Sequence, residues 1–100
     1  MAFSGGSYDE VVRWLRNFLT SHAKREDPRI EVLLDTGDER EGKSYGARLR
    51  LGDRVAATVE FDWKDVAAHR GILAWCAALA KRTRELAREH LLSEPASAPR

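Results

Sequence analysis

Hydrophobic and polar residues recur along the chain with two different periods, and these periods divide it into helices and strands. From Ser7 to Lys24 apolar side chains recur about every 3.6 residues, which predicts an amphipathic helix. Ser7 and Glu10 have the spacing of a capping box, so we expect the helix to begin there. Pro28 disfavours helical backbone at the residue before it, and the helix is expected to end within residues 24–27.

Three later segments follow the two-residue period of β-strands. They are RIEVLLD (29–35), YGARLRL (45–51) and VAATVEF (55–61). A two-residue turn at Gly52 and Asp53 would pair Leu51 with Arg54 and place apolar residues of one strand on the polar face of the other. A three-residue connection, or an equivalent bulge, avoids this conflict. It predicts the pairs Leu51–Val55, Leu49–Ala57, Ala47–Val59 and Tyr45–Phe61.

A last helix is expected from about Trp63 to about Leu92, with Asp62 as its N-cap. It contains the uncharged run GILAWCAALA (71–80), whose larger side chains share one half of the helical circumference with the apolar residues that follow. The element order is then α-β-β-β-α. Short connections predict a two-layer α+β fold, in which a three-stranded antiparallel meander carries both helices on one face. We expect a single domain over 7–92, a flexible leader over 1–6 and a disordered tail over 93–100.

The predicted length of the last helix suggests a binding surface. Thirty helical residues extend about 45 Å, whereas strands of seven residues extend about 23 Å. Leucines near the end of such a helix would lack a partner in the same chain, so we expect a second chain to cover them in a two-fold dimer. The expected interface residues are Trp75, Leu79, Leu86 and Leu91, with Trp14 and Phe18 as possible contributors.

Composition narrows the functional class without identifying a reaction. The chain has 100 residues, a formal net charge of +1 and one cysteine, so neither an intrachain disulfide nor a multi-cysteine metal site is available. Cys76 lies among apolar residues and is expected to be structural. The first residues lack the pattern of a secretory signal, and the apolar run is too short to span a bilayer. We therefore expect a cytoplasmic protein that does not associate with membranes.

Candidate catalytic or metal-binding groups do not combine into a site. His22, His69 and His90 lack the i, i+4 spacing of a zinc-binding helix. The acidic stretch 35–41 lacks the spacing of a calcium-binding loop and is expected to be solvated. No phosphate-binding glycine motif is present. We expect no enzymatic activity, no bound metal and no cofactor.

Nucleic-acid binding is the alternative function. The α-β-β-β-α order resembles the double-stranded-RNA-binding domain, which implies basic contacts to phosphate from the loops and the last helix. The chain departs from that family at the start of this helix, where Asp62 and Asp65 stand, and in the acidic loop 36–44. Under this alternative the contacting residues are Arg48, Arg50, Arg82, Arg84 and Arg88. The function favoured by the sequence is a small homodimeric protein-interaction or adaptor module.

Overall fold

The predicted α+β class is confirmed in the computed structural model, which describes residues 6–92; within them the sheet has four strands instead of the predicted three, and there are three α-helices instead of two. The helices pack on one side of an antiparallel sheet. The elements are α1 Tyr8–Glu26, β1 Glu31–Asp35, a 3-10 turn Asp38–Arg40, β2 Ser44–Leu51, β3 Arg54–Val55, β4 Val59–Asp62, α2 Trp63–His69, α3 Leu73–Ala87 and a π-type turn Arg88–Leu92. The predicted leader, apart from Gly6, and the predicted tail lie outside the described residues.

Helix α1 begins and ends where its local sequence predicts. The Glu10 amide donates to the Ser7 hydroxyl at 3.1 Å, and the Glu10 carboxylate accepts from the Ser7 amide at 3.0 Å. This reciprocal capping box satisfies two backbone donors that an uncapped helix leaves unpaired. At the other end Asp27 is already extended, directly before Pro28. The buried face of α1 then packs on the sheet, α2 and α3.

Strand β2 lies at the centre of the sheet and carries its core. It pairs with β1 on one side, with partners such as Leu34 and Ala47, and with β3 and β4 on the other. Tyr45, Ala47 and Leu49, which are alternate residues of β2, are buried on the side that faces the helices, whereas Arg48 and Arg50 are exposed on the other side. Arg50 and Glu31, opposite each other on the outer face, form an ion pair, as the pairing of opposite charges on that face predicts.

The third predicted strand is divided into β3 and β4 by a β-bulge. Leu51 pairs with Arg54 across a two-residue turn, so the predicted Leu51–Val55 pair is wrong. Gly52 stands first in this turn with φ of 60°, the position that glycine takes in a type II′ hairpin. Further along, the predicted pairs Ala47–Val59 and Tyr45–Phe61 are confirmed. The register therefore shifts by one residue within 56–58. The extra residue that we expected in the turn, or in an equivalent bulge, lies in a bulge.

The predicted continuous last helix is wrong, because the helical backbone is interrupted at residues 70–72. α2 ends at His69, and Ile72 has extended backbone before α3 begins. Gly71 lies inside this break, and glycine costs about 1 kcal/mol more than alanine within a helix. The Cys76 thiol donates to the Arg70 carbonyl at 3.2 Å across the break. The half-buried cysteine thus contacts the backbone of its own chain.

The end of α3 is covered by the same chain, so the predicted overhang is also wrong. α3 has 15 residues, about 22 Å of helix, which the eight residues of β2 match. Leu91 is only 1% exposed and packs in a second core cluster with Ala23, Ile30, Leu49, Ala56 and Ala87. The Arg54 guanidinium donates to the Leu91 carbonyl at 2.9 Å. Leu91 therefore has its partners within the chain, and the reason for expecting a dimer at this end is removed.

Arg40 bridges the outer face of the sheet. Its guanidinium bonds Asp35 at 3.2 Å and Glu60 at 2.8 Å, joining the two edges across β2. A Cβ atom on Gly46 would lie 2.9 Å from the Arg40 guanidinium carbon, so a larger residue at 46 would displace the bridge. The Arg40 guanidinium also lowers the pKa of the Glu60 carboxyl. The stretch 35–41 was expected to be solvated, but one of its side chains, Arg40, is bound to carboxylates on two strands of the sheet.

Candidate protein-docking groove

Strand β4 presents a free backbone edge. It pairs with β2 on one side, and within residues 6–92 no strand pairs with its other side. The Trp63 amide donates to the Lys43 carbonyl at 2.9 Å. Bonded pairs alternate with non-bonded pairs in an antiparallel ladder, so Phe61 and Val59 bond to β2, whereas the N–H and C=O of Glu60 point outward. An unpaired strand edge of this kind is a template for another strand.

A groove runs between this edge and α3. Its open part has a volume of about 420 Å³ and a mainly apolar wall. The lining residues are Val59, Glu60, Phe61, Asp65, Trp75, Ala78, Leu79 and Arg82. At its inner end, near Thr83 and Leu86, a space of only about 20 Å³ remains, which is enough for a single water molecule. The groove therefore suits a chain segment lying along its surface better than an enclosed small ligand.

Side-chain size along both elements produces the groove. Trp75 and Leu79 lie one turn apart on α3, with Ala78 contributing only a methyl group beside them. Facing them, Val59 and Phe61 are alternate residues of β4 and point to the helix layer. Both are half-buried, because α3 does not cover β4 completely. The groove is thus the part of the apolar sheet face that the helices leave open.

Charged groups at the groove differ in whether they have partners. Glu60 is held by Arg40 on the outer face, and Asp65 lies 3.1 Å from the Nδ1 atom of His69. In the described part of the chain, the guanidinium of Arg82 forms neither a hydrogen bond nor an ion pair. One unpaired cation therefore stands beside an apolar wall.

The structure places three of the four expected interface residues in the groove. Trp75, Leu79 and Leu86 line its open or inner part, although Leu79 is largely buried beneath it. Leu91 lies in the second core cluster instead. The two expected contributors, Trp14 and Phe18, stack on each other at 4.9 Å between ring centroids, and Trp14 lies 6.3 Å from Trp75. Trp14 thus packs beside the groove residue Trp75, and Phe18 packs on Trp14.

Sequence reasoning missed the strand side of the groove and one exposed apolar corner. Val59 and Phe61 were expected only as apolar partners of Ala47 and Tyr45, because the pattern does not tell an edge strand from a central one. Leu73 is 85% exposed and Ile72 is 47% exposed at the start of α3. Gly71 was the available signal for that corner, since it marks a weak point in the helical pattern.

The five arginines of the nucleic-acid alternative do not share one surface. Arg48 and Arg50 point to the outer face of the sheet, and Arg50 is paired with Glu31. Arg82, Arg84 and Arg88 belong to α3 and the turn after it, on the helix side. Arg88 lies 3.5 Å from Glu26. Nucleic-acid binding stays a prediction, and titration of labelled duplex RNA and DNA at low salt tests it.

A histidine between α1 and α3 predicts a pH-dependent stability. Burial of His22, together with Arg25 and Arg84, lowers its pKa from the ordinary value of 6.5. Its Nδ1 atom is buried without a hydrogen-bond partner. The unfolded chain therefore binds this proton more readily than the folded one, so stability holds above pH 6.5 and falls as the pH drops through that value. We expect urea midpoints to decrease from pH 7 to pH 5.

The matched variants for this prediction are His22→Gln and His90→Gln. His22→Gln should flatten the decrease between pH 7 and pH 5, because the variant has no ring to protonate at that site. His90 is exposed, and its replacement should leave the decrease in place. Equal slopes for His22→Gln and the wild type would contradict the assignment.

Comparisons with protein-family models, with curated proteins and with solved structures found no match to this chain. None of the helices in residues 6–92 is long and apolar enough to cross a membrane. The same residues contain no group of three His, Cys, Asp or Glu side chains placed to hold a metal ion. The groove between β4 and α3 is the surface whose geometry most directly suggests binding.

Proposed function

We propose that the protein is a non-enzymatic, cytoplasmic protein-interaction module that binds an extended segment of a partner protein. The segment adds to the free edge of β4 as a further strand, and its alternate side chains enter the groove beneath Trp75. The observation that carries this proposal is the outward-pointing N–H and C=O of Glu60 beside an apolar wall. In strand addition, backbone hydrogen bonds supply affinity, and pockets for alternate side chains supply specificity.

A partner segment fits this edge better than a second copy of the chain. In the two-fold register that pairs Val59 with Phe61 of the second copy, the two Glu60 side chains lie directly opposite each other. Like charges at such a position destabilise the pair. Homodimer formation, which we expected from the sequence, therefore remains a prediction to be measured by sedimentation. Self-association that Glu60→Pro abolishes would identify the second copy as the occupant.

Glu60→Pro tests strand addition with Glu60→Ala as its control. Both variants remove the carboxylate that pairs with Arg40, but only proline removes the outward N–H. Peptides selected from a random displayed library against the wild type serve as probes, and fluorescence anisotropy measures their affinity. We expect Glu60→Pro to weaken binding at least about tenfold and Glu60→Ala to change it little.

Two controls make the result decisive. Circular dichroism melts identify any loss of fold in the proline variant. Amide exchange on the wild type should show protection of the Glu60 N–H when a peptide is bound, which does not depend on any variant. Absence of selected peptides, or peptides that bind without protecting Glu60, would contradict the proposed function.

A further inference from the structure

Arg82 occupies the middle of the groove. It lies on α3 between Leu79 and Leu86, one turn from each, and its side chain lines both the open groove and the narrow inner end. Val59 and Phe61 of β4 also line both parts. A segment bound along β4 would therefore lie beside the Arg82 side chain.

The exposed Arg82 guanidinium has no carboxylate partner within residues 6–92, as is also true of Arg48 on the outer face. Arg82 differs from Arg48 in that it lines an apolar groove. Of the acids that line its groove, Glu60 is paired with Arg40 and Asp65 lies beside the His69 ring, and neither forms an ion pair with Arg82. A bound segment would also remove water from the groove, which strengthens the attraction of this cation for an anion.

The geometry of an added strand determines which group of the bound segment could bring a carboxylate to Arg82. On a strand added to β4, the residues opposite Val59 and Phe61 both point toward the helix layer and lie two positions apart. α3 runs from Trp75 toward the second core cluster, where Ala87 packs with Ala56, so Arg82 lies nearer to Val59 than Trp75 does. We therefore expect the side chain opposite Phe61 to lie near Trp75 and the one opposite Val59 to lie near Arg82. A chain-terminal carboxylate would instead continue along the strand direction, so a side chain reaches Arg82 more directly.

We propose that the bound segment carries an Asp or Glu side chain two residues from an apolar side chain, and that Arg82 is the residue that selects it. This inference rests on the proposed function, since it assumes an added strand at β4. Arginine suits the role because its planar guanidinium bonds both oxygens of a carboxylate. Arg82 thus determines specificity, whereas the edge of β4 and the apolar wall supply sequence-independent affinity.

The test compares one selected peptide with its amide counterpart on three proteins. The peptide with Asp or Glu two positions from its apolar residue, and the same peptide with Asn or Gln there, are titrated against the wild type, Arg82→Gln and Arg48→Gln. Arg48 is an exposed arginine on the outer face, so its variant controls for net charge. We expect the amide peptide or Arg82→Gln to weaken binding about tenfold, and the two changes together to weaken it no further.

Each result has one interpretation. Selected peptides that show no acidic preference, or an equal loss for Arg48→Gln, would overturn the role of Arg82 while leaving strand addition in place. Failure to select any peptide would overturn strand addition itself and this inference with it. Amidation of the peptide's C-terminus should leave affinity unchanged. A loss on amidation would show that the terminal carboxylate, and not a side chain, binds the protein.

Discussion

Leu91→Ala is expected to lower the free energy of unfolding by about 3 kcal/mol. Leu91 is 1% exposed and joins the end of the last helical segment to α1, β2 and the bulge. Truncation removes the transfer energy of the buried side chain and leaves a cavity that the surrounding residues fill only in part. Urea denaturation followed by tryptophan fluorescence measures the loss.

Leu73→Ala is the matched control, because the same atoms are removed from a side chain that is 85% exposed. We expect it to change stability by less than about 0.5 kcal/mol. The loss for Leu91→Ala should also be the same at all protein concentrations, since its partners lie in the same chain. A concentration-dependent loss would restore the intermolecular contact that the sequence suggested for Leu91.

Elements whose signals are local could be predicted from the sequence. The capping box at Ser7 and the extended backbone before Pro28 fix α1 without reference to the rest of the chain. The faces of β2 follow in the same way from its alternation. Local signals of this kind act within a few residues, so no tertiary contact is needed to interpret them.

The bulge and the helix break show where local patterns end. Keeping the apolar residues of both hairpin strands on one face required one extra residue. The alternation did not tell whether that residue belongs to the turn or to the strand. The position of Gly52 was the signal that decides between them, because a glycine first in the turn favours the two-residue hairpin. The helical pattern of apolar residues continues on both sides of Gly71. The pattern alone therefore predicted one helix, whereas α2 and α3 are separated at this glycine.

The docking groove could be predicted only in part. Trp75, Leu79 and Leu86 were singled out because the last helix was expected to extend beyond the sheet, and they line the groove although that overhang is wrong. Their partners across the groove, Val59 and Phe61, were not, since their exposure depends on the separation of two elements rather than on either pattern. The unpaired state of Arg82 is likewise a property of the assembled fold.

Deletion of Ala57 is expected to leave the fold intact, whereas deletion of Arg48 should unfold it. Both residues are exposed, so neither deletion removes a buried side chain. Without Ala57, Ala56 pairs with Leu49, Thr58 with Arg48, and Val59 still pairs with Ala47. The single register set by the two-residue turn then runs the length of the hairpin, and each apolar side chain keeps its face.

Deletion of Arg48 has no such solution, because β2 is paired on both sides and contains no extra residue. One part of the strand must rotate by one position, which turns either Tyr45 and Ala47 or Leu49 away from the helices. The loss of several kcal/mol exceeds what a domain of this size can tolerate. Thermal melts should show a cooperative transition for the Ala57 deletion and none for the Arg48 deletion. An unfolded Ala57 deletion would contradict this prediction and would mean that the fold requires the bulge itself.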